Sequence, residues 1–155
     1  MTPAINLAKK LNIAHTVHEY PHDPDSDSYG LEASEKLRVD PERVFKTLIV
    51  RTDTGELVVA VIPVASMLSM KLIAKVVGAK KAEMAARPDA ERSSGYVLGG
   101  ISPMGQRKKL KTIIHTTAQA FPTVYVSAGR RGLEIELSPE DLRKSVNGSY
   151  AVISQ

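Results

Sequence analysis

The chain has 155 residues, is 43% hydrophobic and 25% charged, and contains neither cysteine nor tryptophan. A single domain of this length, residues 1–155, buries roughly 70% of its unfolded surface without a covalent staple, and the missing cysteines exclude disulfides, thiolate metal centres and a cysteine nucleophile of its own. The net charge of +4 hides an asymmetry: Glu19 to Glu42 carries eight acids and two bases, leaving 19 bases against nine acids elsewhere, a basic body with an acidic flank that suits a polyanion partner.

Helix and strand signals alternate along the chain. Thr2-Pro3 is an N-cap with proline at the first helical position, opening a helix to about Leu11. Ile13 to Tyr20 reads as a strand, Pro21 to Gly30 as a loop, and Leu31 to Leu37 as a short helix, followed by a turn capped at Asp40-Pro41. Phe45 to Val50 and Leu57 to Ile62 are apolar, β-branched runs around Asp53-Thr54-Gly55, which predicts a β-hairpin. Ser69 caps a helix to Val77 that Gly78 closes. A short strand at Glu83-Met84 and a helical turn over Asp89 to Arg92 follow. Strands are expected at Lys111 to His115, Thr123 to Val126, Leu133 to Leu137 and Tyr150 to Ile153, with a helix started by Ser138-Pro139. The pattern predicts one mixed α/β domain, α+β-like, with a mostly antiparallel or mixed sheet.

No stretch reads as a membrane span. The longest apolar run, Leu57 to Ala65, is nine residues and contains Pro63, whereas a membrane helix needs about 20. Lys9-Lys10 interrupts the N-terminus before a signal-peptide core develops. A soluble, cytoplasmic protein is the expectation.

Several chemistries fail on spacing. A serine-hydrolase elbow needs Gly-x-Ser-x-Gly, but Ser102 lies between Gly100 and Gly105, and Pro103 after it has no N–H to offer an oxyanion. His15, His18 and His22 cluster in sequence, yet strand alternation and Pro21 separate them, so no metal site is expected. Glu134 and Glu136 share one strand face, a pattern more typical of a solvated edge than of an acid/base pair. Gly99-Gly100 precedes Ile-Ser-Pro and matches no phosphate loop. Its backbone N–H groups could form an anion nest or simply a turn.

Lys46 stands out. On the alternating run it shares a face with Leu48 and Val50, where an ammonium is costly unless it meets an anion or a cleft. A lysine snorkelling at a strand end is the alternative. Arg107, Lys108, Lys109 and Lys111 form the densest basic patch and Arg130-Arg131 a second, both suited to phosphates and both open to reading as solvated surface.

Phe45-Lys46-Thr47-Leu48, the run from Arg92 through Gly99-Gly100-Ile101-Ser102-Pro103, Gly105 to Lys109, and Val124 to Ser127 with Gly132 to Leu137 occur here in one order. In this the chain resembles, over essentially its whole length, the YbaK family of bacterial trans-editing proteins. These are Cys-tRNA(Pro) deacylases related to the editing domain inserted in bacterial prolyl-tRNA synthetases. The resemblance implies a barrel-like mixed sheet surrounded by helices and hydrolysis of a wrong amino acid from the tRNA 3′ end. It places the key lysine on Lys46, an oxyanion site on Gly99 and Gly100, and pocket positions on Tyr20, Tyr29, Thr47 and Ser127. Glu134 stands where the family usually has aspartate, and Tyr29 where phenylalanine is commoner. The resemblance further implies no cofactor or metal, aminoacyl-tRNA held by Arg107, Lys108, Lys109, Lys111, Arg130 and Arg131, and prolyl-tRNA synthetase as partner. Any thiol would come from the substrate, attacking its own carbonyl. A sister specificity for Ala-tRNA(Pro) or Ser-tRNA, and a tRNA- or synthetase-binding module without turnover, stay open at this stage.

Overall fold

The computed structural model describes residues 1–25 and 29–155, the Tyr29 side chain excepted. The expectation for Tyr29 as a pocket residue therefore lies outside the described residues. The elements are α1 (Pro3–Lys10), β1 (His15–Glu19), α2 (Tyr29–Leu37), β2 (Phe45–Thr52), β3 (Leu57–Pro63), α3 (Met70–Val76), β4 (Ala82–Met84), α4 (Arg87–Ser94), β5 (Lys111–His115), β6 (Val124–Arg130), β7 (Leu133–Leu137), α5 (Pro139–Ser145) and β8 (Ser149–Ala151).

The caps act as the sequence predicts. The side chains of Thr2, Ser69 and Ser138 accept from the N–H groups of Ile5, Leu72 and Asp141, each filling an orphan donor of a helix start. Helix α1 ends at Lys10, close to the expected Leu11, but the turn after it is longer than expected. Asn12 turns left-handed at φ 55° and Ile13 N–H reaches back to the Ala8 carbonyl at 2.9 Å, so β1 begins at His15 and not at Ile13. Similarly, α4 occupies eight residues where a turn was expected, and a 3-10 turn over Thr116–Ala120 carried no sequence signal. The last strand ends at Ala151, because the chain leaves the sheet to form a single bridge between Ser154 and Leu68.

β3 organises the packing. Its apolar run is flanked by β2 antiparallel and β5 parallel, so both faces are covered. Alternation sends Val59 and Val61 into one cluster with Phe45, Ile114 and Val126, and Val58, Ala60 and Ile62 into another with Ile73 and Ile153. His115, at the end of β5, is buried. Its Nδ1 accepts the Ile153 N–H at 3.2 Å, its Nε2 lies 3.2 Å from the Ser154 hydroxyl, and burial lowers its pKa.

The expected barrel does not close. The strands form two sheets, β4-β2-β3-β5-β8 and β1-β7-β6. They pack on each other through the core that Phe45, Val59 and Val61 share with Val126 and Ile135, and among the described residues an isolated bridge, Val44 to Tyr125, links them. The outer strands β4 and β8 have three residues each, too few to ladder onto β1 or β6.

Two glycines bring backbone against the turn that joins β6 to β7. The Tyr20 N–H donates to the Gly132 carbonyl at 3.0 Å, and a Cβ on Gly132 would sit 2.8 Å from the Tyr20 carbonyl oxygen. A Cβ on Gly100 would lie 2.8 Å from the Arg130 Cα. Gly132→Ala meets both a positive φ of 85° and that backbone contact, whereas Gly78→Ala meets only its φ of 77°, in open space. In urea unfolding, Gly78→Ala is expected to lose about 1 kcal/mol and Gly132→Ala about 2 to 4 kcal/mol. Equal losses would show that the Tyr20 contact relaxes freely.

Candidate active site

The β6–β7 turn, the N-terminal half of β2 and the Leu98–Ile101 segment enclose a cavity of about 300 Å³. Of the residues singled out in the sequence, Tyr20, Lys46, Thr47, Gly99, Ser127 and Glu134 line it. Phe45, Leu48, Val64, Leu98 and Ile101 supply apolar wall, and Gly30 at the start of α2 admits the helix against Val64. Arg130 and Arg131 also line this cavity, so they border the pocket and are not a remote basic patch.

Lys46 pairs across the sheet with Ile62, at the end of β2 where the ladder opens onto the cavity. It forms no hydrogen bond or ion pair with any described residue, and burial lowers its pKa. The Thr47 hydroxyl is buried without a hydrogen-bond partner among the described residues. A buried polar group in that state is an unmet bond that a ligand can complete. Ser127 is held in place: its Oγ accepts the Gly129 N–H at 3.2 Å, inside the register shift between Ser127 and Arg130. Such a bulge turns its side chains relative to the regular ladder.

The two glycines divide in role. Gly99, at φ 93°, lines the cavity, and its N–H meets no acceptor among the described residues. The Gly100 N–H is committed to the Val97 carbonyl at 2.9 Å and the residue packs on Arg130, so the expectation that it serves an oxyanion is corrected. Only close approach requires glycine there.

Elsewhere the structure resolves the alternatives left by the sequence. Ser102 is fully buried and its Oγ accepts the Met104 N–H at 3.2 Å. His15 meets the Ile13 carbonyl, His18 meets Glu136 at 2.9 Å, and His22 meets Glu32 at 2.8 Å. Among the described residues no three His, Asp or Glu side chains gather as metal ligands. Glu32 also accepts the Asp23 N–H, and so holds the strand-to-helix segment after Tyr20 against α2. Lys108, Lys109 and Lys111 lie in a separate groove, and Arg107 packs beside Gly95. No described helix is long and apolar enough to cross a membrane.

The sequence profile of the aminoacyl-tRNA editing domain matches residues 24–145. The chain belongs to that family. It is 38% identical over 154 residues to EbsC of Enterococcus faecalis, provisionally named a Cys-tRNA(Pro)/Cys-tRNA(Cys) deacylase, with 99% of this chain and 93% of that one covered. Its fold is similar to two crystal structures. One is the protein APE2540, at TM-score 0.88 and 22% identity over 99% of both chains. The other, provisionally named a trans-editing enzyme for prolyl-tRNA synthetase, matches at TM-score 0.80 and 18% identity, covering 91% of this chain and 87% of that one. At these identities the two structures speak for the fold alone.

Glu134 is the unusual group in this editing domain. The sequence pattern suggested a solvated edge, but β7 is the middle strand of its sheet, and even Glu136 is only partly exposed, with His18, Thr123 and Arg43 around it. Glu134 is 6% exposed, and burial pushes its carboxyl up to about 8. At neutral pH it carries a proton and is a hydrogen-bond donor. Tyr20 beside it is pushed up to about 12, first by burial and then by Glu134.

This sets a stability window. The unfolded chain releases the Glu134 proton near 4.5, the folded chain near 8, so stability is unaffected below the lower value, falls between the two, and stays reduced above. Glu134→Gln removes that penalty. Thermal and urea melts are expected to coincide with the parent near pH 4 and to show the variant about 3 to 5 kcal/mol more stable at pH 9. Parallel pH curves for the two proteins would mean that Glu134 is ionised in the folded state.

Proposed function

We infer that the protein is a trans-editing aminoacyl-tRNA deacylase that cleaves the ester of Cys-tRNA(Pro), with residues 1–155 acting as one editing domain in the cytoplasm. The observation that carries this reading is the Lys46 ammonium, lining a cavity without a counter-ion in a chain close to EbsC in sequence.

An aminoacyl ester is already activated, so the site needs to position it and to stabilise the charge that develops on its carbonyl oxygen. Lys46 and the Gly99 N–H serve that oxygen. The Thr47 hydroxyl completes its hydrogen bonding with the terminal ribose or the amino acid. Neutral Glu134 and Tyr20 offer O–H groups to the amino-acid side without adding negative charge. Lys46 serves as the cation of the site, and burial lowers its pKa.

The family resemblance implies that the thiol is the substrate's own, and a chain without cysteine is compatible with that. Its sulfur attacks its own carbonyl carbon, a carbon–sulfur bond forms as the ester carbon–oxygen bond breaks, and the ribose hydroxyl leaves with the thiol proton. Water then opens the resulting thioester ring. Choice of tRNA(Pro) over other tRNAs falls to prolyl-tRNA synthetase as partner.

The test is ester loss from Cys-tRNA(Pro), Ala-tRNA(Pro) and Ser-tRNA, with and without prolyl-tRNA synthetase. Cysteinyl ester is expected to be lost at least tenfold faster than alanyl or seryl ester. Lys46→Ala is expected to lower the rate by about 100-fold or more, in line with removal of one oxyanion donor, while melting as a folded protein. Cleavage of the alanyl ester alone, or a near-parent rate for Lys46→Ala, overturns the reading.

A further inference from the structure

A second concavity, about 750 Å³, lies between the C-terminal ends of α1 and α5 and the segment from Pro103 to Thr112. Leu7, Leu11, Leu110 and Val146 form its floor, and Lys10, Lys108, Lys109, Lys111 and Lys144 rise around it. No aspartate or glutamate lines it. The five lysines are exposed, and none forms an ion pair with a described residue.

The groove is also held in shape. Arg107 and Lys108 donate their N–H groups to the carbonyls of Ser94 and Ser93 at 3.0 and 2.9 Å, and the Gln106 amide donates to the Ser102 carbonyl at 3.0 Å. Gly105 lies so near the backbone of Pro3 that a Cβ would come within 2.6 Å. The lysine stems thus spring from fixed backbone, and only their ends need ordering when an anion arrives.

One segment contributes to both the groove and the cavity that holds Lys46. Ile101 lines the one and Pro103 the other, two residues apart and at most about 7 Å between Cα atoms. Helix α1, about 12 Å long, runs from Thr2, whose hydroxyl donates to the Ala128 carbonyl beside Ser127, to Lys10 at the groove. Roughly four stacked nucleotides at about 3.4 Å each cover that distance.

We propose that this groove holds the sugar-phosphate backbone of the tRNA whose aminoacylated end enters the Lys46 cavity, with Lys10 and Lys144 as phosphate contacts from two helices at opposite ends of the chain. The proposal rests on the deacylase reading for its choice of RNA. Lysines unpaired by carboxylates are available to displace counter-ions from phosphates, and the apolar floor accepts ribose and base faces.

The experiment is fluorescence anisotropy of labelled, uncharged tRNA(Pro) across a salt series. K10Q/K144Q is compared with K9Q/K75Q, which removes the same charge from exposed lysines outside the groove. K10Q/K144Q is expected to weaken binding about tenfold near 0.15 M salt and to make the slope of log K against log salt shallower by about 1.4 to 1.8. K9Q/K75Q is expected to shift binding less than twofold, and K10R/K144R to bind as the parent does. Equal loss with both glutamine pairs, loss with neither, or no RNA binding by the parent overturns the groove assignment. If the lysine signature appears while every aminoacyl ester survives, the deacylase reading fails and the groove stands. If the esters are cleaved while both pairs bind alike, the groove fails and the deacylase reading stands.

Discussion

The site depends on backbone meeting backbone at the turn between β6 and β7. Tyr20 hydrogen-bonds to Gly132 with its carbonyl in the space a Cβ would fill, and Gly100 presses on Arg130 from the other side. These contacts bring three distant segments onto one frame: the end of β1, the Leu98–Ile101 segment and the β6–β7 hairpin. Ser127 and Glu134 belong to that hairpin, paired across its ladder, and the bulge after Ser127 sets how the hairpin faces β2. The wall opposite is Lys46 and Thr47. Loss of either close approach would widen the cavity without touching a side chain that faces it.

Within that frame burial shifts two pKa values towards the uncharged form, with unequal results. The carboxyl of Glu134 is driven to about 8 and is neutral at ordinary pH. The pKa of Lys46 is lowered by the same loss of water. The cavity thus holds a lysine and a neutral donor, both placed before any ligand enters. Burying ionisable groups in this way costs the folded state stability, and perturbed groups of this kind cluster where a protein binds or reacts.

Much of this was legible in the sequence. The hairpin of β2 and β3 and the three hydroxyl caps follow from local pattern, and Lys46 was conspicuous because alternation put it among aliphatics. The misses have physical reasons. Gly100 looks like an anion donor until the turn that uses its N–H is seen, and hydrogen-bond partners in loops leave no periodic trace. The burial of Glu134 was hidden because Glu134 and Glu136 share a face of β7, and packing beyond the strand decides which is covered. Lys10 and Lys144 could not be linked to Lys108 and Lys109, since only tertiary folding unites the ends of α1 and α5. The barrel failed for want of length in β4 and β8, a boundary property that patterning resolves poorly.

The pairing of β1 has a consequence for how the chain is made. Its ladder partner is β7, so residues 15–19 wait until residues 133–137 exist before their hydrogen bonds are filled. Contacts this distant in sequence slow folding, and an unfilled strand edge is a template for association with other chains. The composition of β1 answers that hazard. His15, Thr16, His18 and Glu19 surround a single aliphatic, Val17, and leave a nascent chain with little there to aggregate. The polarity of this strand thus protects the protein during synthesis, before the cavity it helps to frame has formed.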